Sequence, residues 1–168
     1  IEEGSIIEQN IINEYVKRDL KNININSKLK IAWDVGNGAM GLVINEITSQ
    51  LKNTHNILIN EKVDGTFPNH HPDPTVDSNL VSLQAFVLDN KCDVGIAFDG
   101  DADRIVALDQ DGSIIRSDIL MSLFLPKLIN KNDSIVYDVK CSKALEDMII
   151  KYKGNPVMWK TGHSLIKN

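Results

Sequence analysis

The stretch CDVGIAFDGDADR at residues 92–104 places a cluster of acidic side chains directly after a short apolar run. Residues 92–98 have the length and apolar character of a buried β-strand, and Asp99, Asp101 and Asp103 follow at alternating positions. Two carboxylates ~4 Å apart at an effective dielectric of ~20 repel each other by roughly 4 kcal/mol. A hard divalent cation bound at the end of the strand would offset this repulsion, so the stretch predicts a metal site.

The rest of the chain alternates between strand and helix patterns. Short apolar runs predict a hairpin at 104–115 and strands at residues 29–35, 56–60, 92–98, 134–140 and 156–162. Apolar side chains at helical spacing predict helices at residues 5–21, 39–52, 79–91, 117–130 and 144–154, and one beginning at 163. This alternation indicates an α/β fold with a mainly parallel mixed sheet and helices on both faces.

The predicted elements fall into two groups. Residues 1–112 contain enough strands and helices for a complete α/β domain, and residues 113–168 contain the first part of a second domain. The two strands of the second group are too few to bury both faces of a parallel sheet. The sequence also begins with Ile1 rather than methionine, so we expect it to be a fragment of a longer protein.

Composition and charge exclude several classes of protein. The 168 residues are 42% hydrophobic and 24% charged, which is typical of a globular protein. The net charge of -5, without a basic block, argues against nucleic-acid binding, and no apolar run reaches the ~20 residues of a membrane span. The first residues lack the basic and apolar regions of a signal peptide, so none is expected, and Cys92 and Cys141 lie too far apart for a zinc motif. We therefore expect a cytoplasmic protein with two reduced thiols.

The acidic cluster has two alternative interpretations besides a magnesium site. It could be a solvated turn, although the strand before it is too apolar for an exposed segment. It does not fit a calcium-binding EF-hand, because Arg104 occupies the glycine position and Gln110 the position of the final glutamate. In an extended loop, side chains at alternating positions point the same way, so Asp99, Asp101 and Asp103 are expected to face one Mg²⁺. Arg104 is expected to contact a phosphate or to orient a carboxylate.

A glycine motif offers a rival function. Gly36, Gly38 and Gly41 form a GxGxxG pattern after a predicted strand, and Glu61 follows the next strand. This pattern is the fingerprint of a Rossmann-type dinucleotide-binding module. However, the charge of Asp34 would oppose a pyrophosphate here, and the chain has no other feature of hydride chemistry. The alternative interpretation is a tight strand-to-helix turn that needs small residues.

Two pairs of polar residues complete the candidate sites. His70 and His71 lie in the proline-rich segment 61–77, where a structural role is favoured over direct catalysis. Lys140 and His163 stand at the ends of the last two predicted strands and suit an anionic or hydroxylated ligand. Isolated residues of these two types are, however, often plain surface.

Five segments of the chain together resemble the α-D-phosphohexomutase family, in its phosphomannomutase/phosphoglucomutase branch. They are WDVGNGAMG, FPNHHPDPTVDSNL, DVGIAFDGDADRI, YDVKCSKAL and NPVMWKTGHSLIK. The resemblance implies repeated α/β domains, with residues 1–112 as domain II and residues 113–168 as the start of domain III. It also implies a Mg²⁺-dependent intramolecular phosphotransferase. Such an enzyme interconverts hexose 1-phosphates and 6-phosphates through a phosphoserine and a bisphosphorylated sugar.

The same resemblance assigns a role to each candidate site residue. It places Mg²⁺ on Asp99, Asp101 and Asp103, where the metal neutralises charge on the transferring phosphoryl group. It places Arg104 beside that phosphate as a catalytic and substrate-binding residue. Lys140 and His163 are assigned to the sugar side of the cleft, where one of them helps to move protons at the reacting hydroxyl.

The sequence also departs from the family pattern. It contains no serine loop of the TASHNP type, no sugar-specificity loop and no fourth, phosphate-clamping domain. Asp118 is followed by Ile119 where relatives often carry Asp-Arg, so one phosphate-contacting arginine is absent. We therefore expect the chain to be inactive alone. Its expected partners are a mannose or glucose phosphate and the remaining domains of the longer protein.

Overall fold

The computed structural model describes residues 4–167, including the backbone but not the side chain of His163. The chain divides into two compact units, Ile1–Ser113 and Ile114–Asn168. None of the helices in the described residues combines the length and the apolar character that a membrane crossing requires.

The first unit contains a mixed sheet. Its strands are β1 (Leu29–Asp34), β2 (Thr54–Ile59), β3 (Val94–Phe98) and β4 (Ile105–Asp109). The strand order is β2-β1-β3-β4, in which β1 pairs parallel with β2 and β3, and β4 pairs antiparallel with β3. The structure thus confirms the predicted α/β fold with a mainly parallel mixed sheet.

The three parallel strands β1, β2 and β3 end at the same edge of this sheet. Val35 and Phe98, which stand at that edge, pack with Ile44 in a buried cluster, and the ring of Trp33 stacks on Phe98 at a centroid separation of 6.1 Å. Each fully buried side chain of this size contributes about 1.5–3 kcal/mol. The polar loops that follow the strands therefore rest on a well-packed apolar base.

Helices flank these strands along the chain. They are α1 (Ile12–Asp19), α2 (Ile44–Gln50) and α3 (Val81–Asn90), with short 3₁₀ helices at Ala39–Leu42 and Asp77–Leu80. The helix predicted at 5–21 is wrong in its first half, because α1 begins only at Ile12. Asn10 Oδ1 accepts the N–H of Ile12, the first residue of the helix, at 3.0 Å. Ile6 and Ile7 are 97% and 85% exposed, so they provide no packing that would stabilise a longer helix.

The second unit contains a parallel pair of strands, three helices and a two-residue strand among the described residues. Its elements are β5 (Ile114–Ile115), α4 (Ser117–Leu128), β6 (Ser134–Asp138), α5 (Lys143–Lys151), β7 (Asn155–Trp159) and α6 (His163–Ile166). Four buried side chains form its core: Leu125, Tyr137, Leu145 and Ile149. Both strands are shorter than predicted. Lys140 consequently lies in the turn after β6 and not in the strand itself.

Candidate metal site

Residues 99–104, which we call the acidic loop, bring three carboxylates together at the end of β3. Asp99, Asp101 and Asp103 each offer one oxygen, and these oxygens all lie within 4.8 Å of one another. Asp99 is fully buried, whereas Asp101 and Asp103 are exposed. Hard divalent cations prefer carboxylate oxygens as ligands, so this arrangement fits a metal ion of that class.

The acidic loop is a turn, and the prediction of an extended loop is wrong. Ala102 has a positive φ of 62°, and its N–H donates to the Asp99 carbonyl at 3.1 Å. The Asp99 N–H donates to the Arg104 carbonyl at 3.2 Å, so the two ends of the loop meet. The carboxylates are therefore gathered by a reversal of the chain and not by alternation along an extended segment.

Arg104 holds the buried carboxylate through both of its oxygens. The Arg104 backbone N–H donates to Asp99 Oδ1 at 3.0 Å, and its Nε donates to Oδ2 at 2.7 Å. Its Nη1 lies 3.3 Å from Asp73 Oδ1, and its Nε lies 3.6 Å from Asp103 Oδ1. Of the two contacts predicted for Arg104, the structure contains the one with a carboxylate. The side chain is still 53% exposed, which leaves part of the guanidinium accessible to a ligand.

The loop charges shift two carboxyl pKa values in opposite directions. Burial raises the pKa of Asp99, but the hydrogen bonds and the positive charge of Arg104 outweigh it, so the pKa lies below its usual value. The negative charge of Asp101 raises the pKa of Asp103. Asp99 is thus compensated by Arg104, whereas Asp101 and Asp103 still repel each other. A bound cation would relieve this remaining repulsion.

The proline-rich segment supports the acidic loop, a contact that the sequence analysis missed. The Gly100 N–H donates to the Pro72 carbonyl at 3.1 Å, and Asp73 accepts a hydrogen bond from Arg104. Asp73 Oδ1 is fixed in turn by the Thr75 hydroxyl at 2.7 Å and the Thr75 N–H at 3.1 Å. The Asp-Pro-Thr run is typical of such an Asx turn and was the available signal in the sequence.

The glycine turn at residues 36–41 packs against the acidic loop. Its backbone N–H groups are already used within the protein: Gly36 donates to Asp34 Oδ1, Asn37 to the Asn60 carbonyl, Gly38 to the Val35 carbonyl and Ala39 to the Gly100 carbonyl. A Cβ on Gly38 would lie 2.7 Å from the Gly100 oxygen, and one on Gly41 would overlap the Glu61 carbonyl. The glycines are therefore needed for chain packing. The dinucleotide-binding alternative is not favoured, because a pyrophosphate would need these N–H groups free.

The two histidines of the proline-rich segment lie outside the carboxylate group. His70 Nε2 lies 3.0 Å from Asp34 Oδ2, and its side chain is 14% exposed. His71, by contrast, is exposed. His70 thus makes a contact of the structural kind that the sequence predicted.

In the second unit, Lys140 lies in a turn that is held at both ends. Asp138 Oδ1 accepts the Lys140 N–H at 2.8 Å, and its Oδ2 accepts the Thr161 hydroxyl at 3.2 Å. Asp118 Oδ2 accepts the Ser142 N–H at 2.8 Å. The exposed Lys140 side chain therefore stands on a fixed backbone. His163 begins α6, and its side chain lies outside the described residues.

Replacing Asp118 by alanine is expected to destabilise the second unit by about 1 kcal/mol at pH 7, because the Ser142 N–H loses a charged acceptor. The hydrogen bond from Ser142 lowers the pKa of Asp118 in the folded protein. The stabilisation is therefore present above the pKa of the unfolded state, about 3.9, and is lost as the pH falls through the lower pKa of the folded state. Hydrogen exchange of α5 should be about fivefold faster in the variant at pH 7 and should differ less at lower pH.

The matched control for this prediction is alanine at Asp147, which forms an exposed ion pair with Lys143 at 2.8 Å. An exposed pair of this kind contributes about 0.5 kcal/mol or less. Equal exchange rates in the two variants would show that Asp118 does not hold the turn.

Two family profiles match consecutive parts of the chain. The profile described as "Phosphoglucomutase/phosphomannomutase, alpha/beta/alpha domain II" matches residues 12–112. The profile described as "Phosphoglucomutase/phosphomannomutase, alpha/beta/alpha domain III" matches residues 116–168. Together the two matched ranges include the acidic loop, the glycine turn and the turn that contains Lys140.

Individual proteins also match the chain over nearly its whole length. The "Phosphomannomutase/phosphoglucomutase" of Pseudomonas syringae pv. tomato is 42% identical over 168 residues, which cover 99% of this chain and 36% of that protein. The "Phosphoglucomutase" of Neisseria meningitidis serogroup B is 39% identical with the same coverage. The crystal structure of a phosphoglucomutase/phosphomannomutase family protein from Burkholderia thailandensis matches with a TM-score of 0.87 at 37% identity, covering 94% of this chain and 35% of that one. The chain thus spans about a third of the length of the relatives it matches.

Proposed function

This chain belongs to the phosphoglucomutase/phosphomannomutase family, and on that premise we propose that its parent protein interconverts hexose 1-phosphates and hexose 6-phosphates. By parent protein we mean a longer protein that contains this chain and further domains. The relatives carry the names phosphomannomutase and phosphoglucomutase, so mannose and glucose phosphates are the proposed substrates. The observation that carries the proposal is the group of three carboxylates at the end of β3, held by Arg104.

We assign the acidic loop to Mg²⁺, with Asp99, Asp101 and Asp103 as its ligands. When bound, the ion supplies positive charge that stabilises a transferring phosphoryl group. Arg104 orients Asp99 through two hydrogen bonds, and the exposed part of its guanidinium is available to a phosphate oxygen. The proposed role of the acidic loop is therefore positioning: its residues hold the metal ligands and the positive charge of Arg104 in fixed places.

We assign Lys140 and His163 to the binding of the sugar. Lys140 projects from a turn whose backbone is fixed by Asp138 and Asp118, so its ammonium can donate to a hydroxyl or phosphate oxygen of the sugar. His163 is assigned to the same sugar by the family resemblance. The proposed reaction also needs a phosphoserine, and no serine loop of the family type occurs in this sequence. We therefore propose that the chain alone is inactive.

Phosphorus NMR on the parent protein tests the proposal. The sample contains Mg²⁺, a trace of glucose 1,6-bisphosphate as primer, and either glucose 1-phosphate or mannose 1-phosphate. We expect the 1-phosphate signal to be replaced by a 6-phosphate signal. Methionine in place of Lys140 should lower kcat/KM about tenfold, which corresponds to the loss of one charged hydrogen bond to substrate.

The control for Lys140 is methionine in place of Lys131, an exposed lysine that precedes β6. With any sugar phosphate that the parent protein converts, kcat/KM should be lower for the Lys140 variant than for the Lys131 variant. Failure of the parent protein to convert glucose, mannose or glucosamine 1-phosphate would contradict the proposed function.

A further inference from the structure

Asp34 is a buried carboxylate that the proposed reaction does not use. It ends β1, is completely inaccessible to solvent, and lies in the first unit beside the glycine turn. Its Oδ1 accepts the Gly36 N–H at 3.0 Å and the Asn60 amide at 2.9 Å, and its Oδ2 lies 3.0 Å from His70 Nε2. A buried carboxylate is costly unless a positive partner and hydrogen bonds compensate it. His70 is therefore needed at least as one of the groups that compensate this carboxylate.

His70 also ties together two segments that are far apart in sequence. Its Nε2 faces the Asp34 carboxylate, and its Nδ1 lies 3.0 Å from the His71 carbonyl oxygen. Both of these partner atoms are hydrogen-bond acceptors. The Asn60 amide lies farther from Nε2, at 3.4 Å, and makes its shorter bond to Asp34. The His70 ring thus joins the start of the 70–73 segment to the end of β1.

The segment that His70 pins is the one that supports the acidic loop. Pro72 accepts the Gly100 N–H through its carbonyl at 3.1 Å, and Asp73 Oδ1 lies 3.3 Å from Arg104 Nη1. His70 is therefore linked to the acidic loop by a short series of contacts. Pro72, two residues after His70, contacts Gly100, and Asp73 contacts Arg104. Gly100 and Arg104 are part of the acidic loop.

We propose that His70 is a positioning residue for the acidic loop: by joining Asp34 to the 70–73 segment, it sets the backbone on which the three carboxylates hold their cation. The proposal rests on the function proposed above and adds a residue that touches neither metal nor substrate. Groups that hold metal ligands in place without touching the metal typically change metal affinity by about 10–100-fold when they are removed. Compensation of the Asp34 charge alone would have no such effect on a folded protein.

Two double variants distinguish compensation of the Asp34 charge from positioning of the acidic loop. Asp34→Asn combined with His70→Leu removes the buried charge and the tie together, whereas Asp34→Asn combined with His71→Leu removes the charge and keeps the tie. Binding of Mn²⁺ to the 168-residue chain is measured by electron paramagnetic resonance of the free ion, and folding is checked by thermal unfolding. We expect the first double variant to be folded and to bind Mn²⁺ about tenfold more weakly than the second.

Affinities that agree within about twofold would overturn the proposal, because His70 would then serve only to compensate the buried carboxylate of Asp34. If the first double variant does not fold, His70→Gln is compared with His71→Gln. Glutamine at position 70 keeps a donor for Asp34 and loses the one to the His71 carbonyl. A weakening of about threefold or more supports positioning, and a smaller one overturns it.

The wild-type chain distinguishes failure of this inference from failure of the proposed function. Its Mn²⁺ binding should disappear in Asp101→Asn, which removes a proposed ligand. If the wild type binds no Mn²⁺ in this way, the metal site of the proposed function is wrong and the positioning role falls with it. If the wild type binds and the two double variants bind equally, only the role of His70 is overturned.

Discussion

Asparagine in place of Asp101 is expected to lower kcat of the parent protein about 1,000-fold, the scale on which a bound cation stabilises a phosphoryl-transfer transition state. Asp101 is one of three carboxylates whose oxygens lie within 4.8 Å of one another, and it is exposed. Asparagine preserves its size and removes its charge. The phosphorus NMR assay with Mg²⁺ measures the loss directly.

The same substitution should not destabilise the protein, and this distinguishes a metal ligand from a structural residue. The negative charge of Asp101 raises the pKa of Asp103, as expected for two neighbouring carboxylates without a cation. Asparagine at position 101 removes this repulsion, so the unfolding temperature without metal should be unchanged or slightly higher. Adding Mg²⁺ should raise the unfolding temperature of the wild type and leave that of the variant unchanged.

The matched control is asparagine in place of Asp111, an exposed aspartate in the turn between β4 and β5. Its carboxylate is not part of the three-carboxylate group, so full activity and a normal response to Mg²⁺ are expected. An Asp101→Asn protein that keeps more than about a tenth of the wild-type activity would remove Asp101 from the set of essential ligands.

The elements of the first sheet could be predicted from the sequence because their apolar runs are short, continuous and followed by turn residues. The position of the acidic residues after β3 followed from the same pattern. The turn that brings these residues together could not be predicted in the same way. It depends on the positive φ of Ala102, and alanine has no preference for that conformation. The predicted alternation therefore identified three carboxylates that the structure does bring together, but it gave the wrong reason for their proximity.

Long-range contacts account for the rest of what sequence patterns missed. Asp73 reaches Arg104 across 31 positions, and His70 reaches Asp34 across 36. Neither pair has a local spacing that a periodicity or motif would reveal. The helix predicted at 5–21 is wrong in its first half for a related reason, since the helical spacing of Ile7 and Ile11 implies a partner surface, whereas both side chains are exposed.

Gly38 belongs to the GxGxxG pattern, which fits either a dinucleotide-binding turn or a tight turn that needs small residues for packing. Substitution of Gly38 distinguishes these two interpretations. In a dinucleotide-binding turn, the second glycine allows the backbone to approach a pyrophosphate. Here Gly38 has φ -88° and ψ -172°, a conformation open to any residue, so backbone freedom is not the reason for glycine. The reason is proximity, since a Cβ would lie 2.7 Å from the Gly100 oxygen and 3.1 Å from its carbonyl carbon and Cα.

Alanine in place of Gly38 is therefore expected to destabilise the first unit by about 2 kcal/mol, the usual cost of forcing an extra methyl group into a packed region. The obstructing atoms are backbone atoms of the acidic loop and cannot rotate away. The Ala39 N–H also donates to the Gly100 carbonyl at 2.9 Å, so moving the loop breaks this hydrogen bond. Urea unfolding measures the stability, and the affinity for Mn²⁺ should fall in parallel because the displaced loop carries the proposed ligands.

The control is alanine in place of Gly65, where an added Cβ would meet no atom within 4 Å and should change stability by about 0.5 kcal/mol or less. Equal stability of the two variants would mean that the glycine turn and the acidic loop are not in contact. Titration with NAD completes the comparison, since a dinucleotide site predicts binding that Gly38→Ala abolishes. We expect no NAD binding by either protein, because the N–H groups of Gly36, Gly38 and Ala39 already have acceptors within the chain.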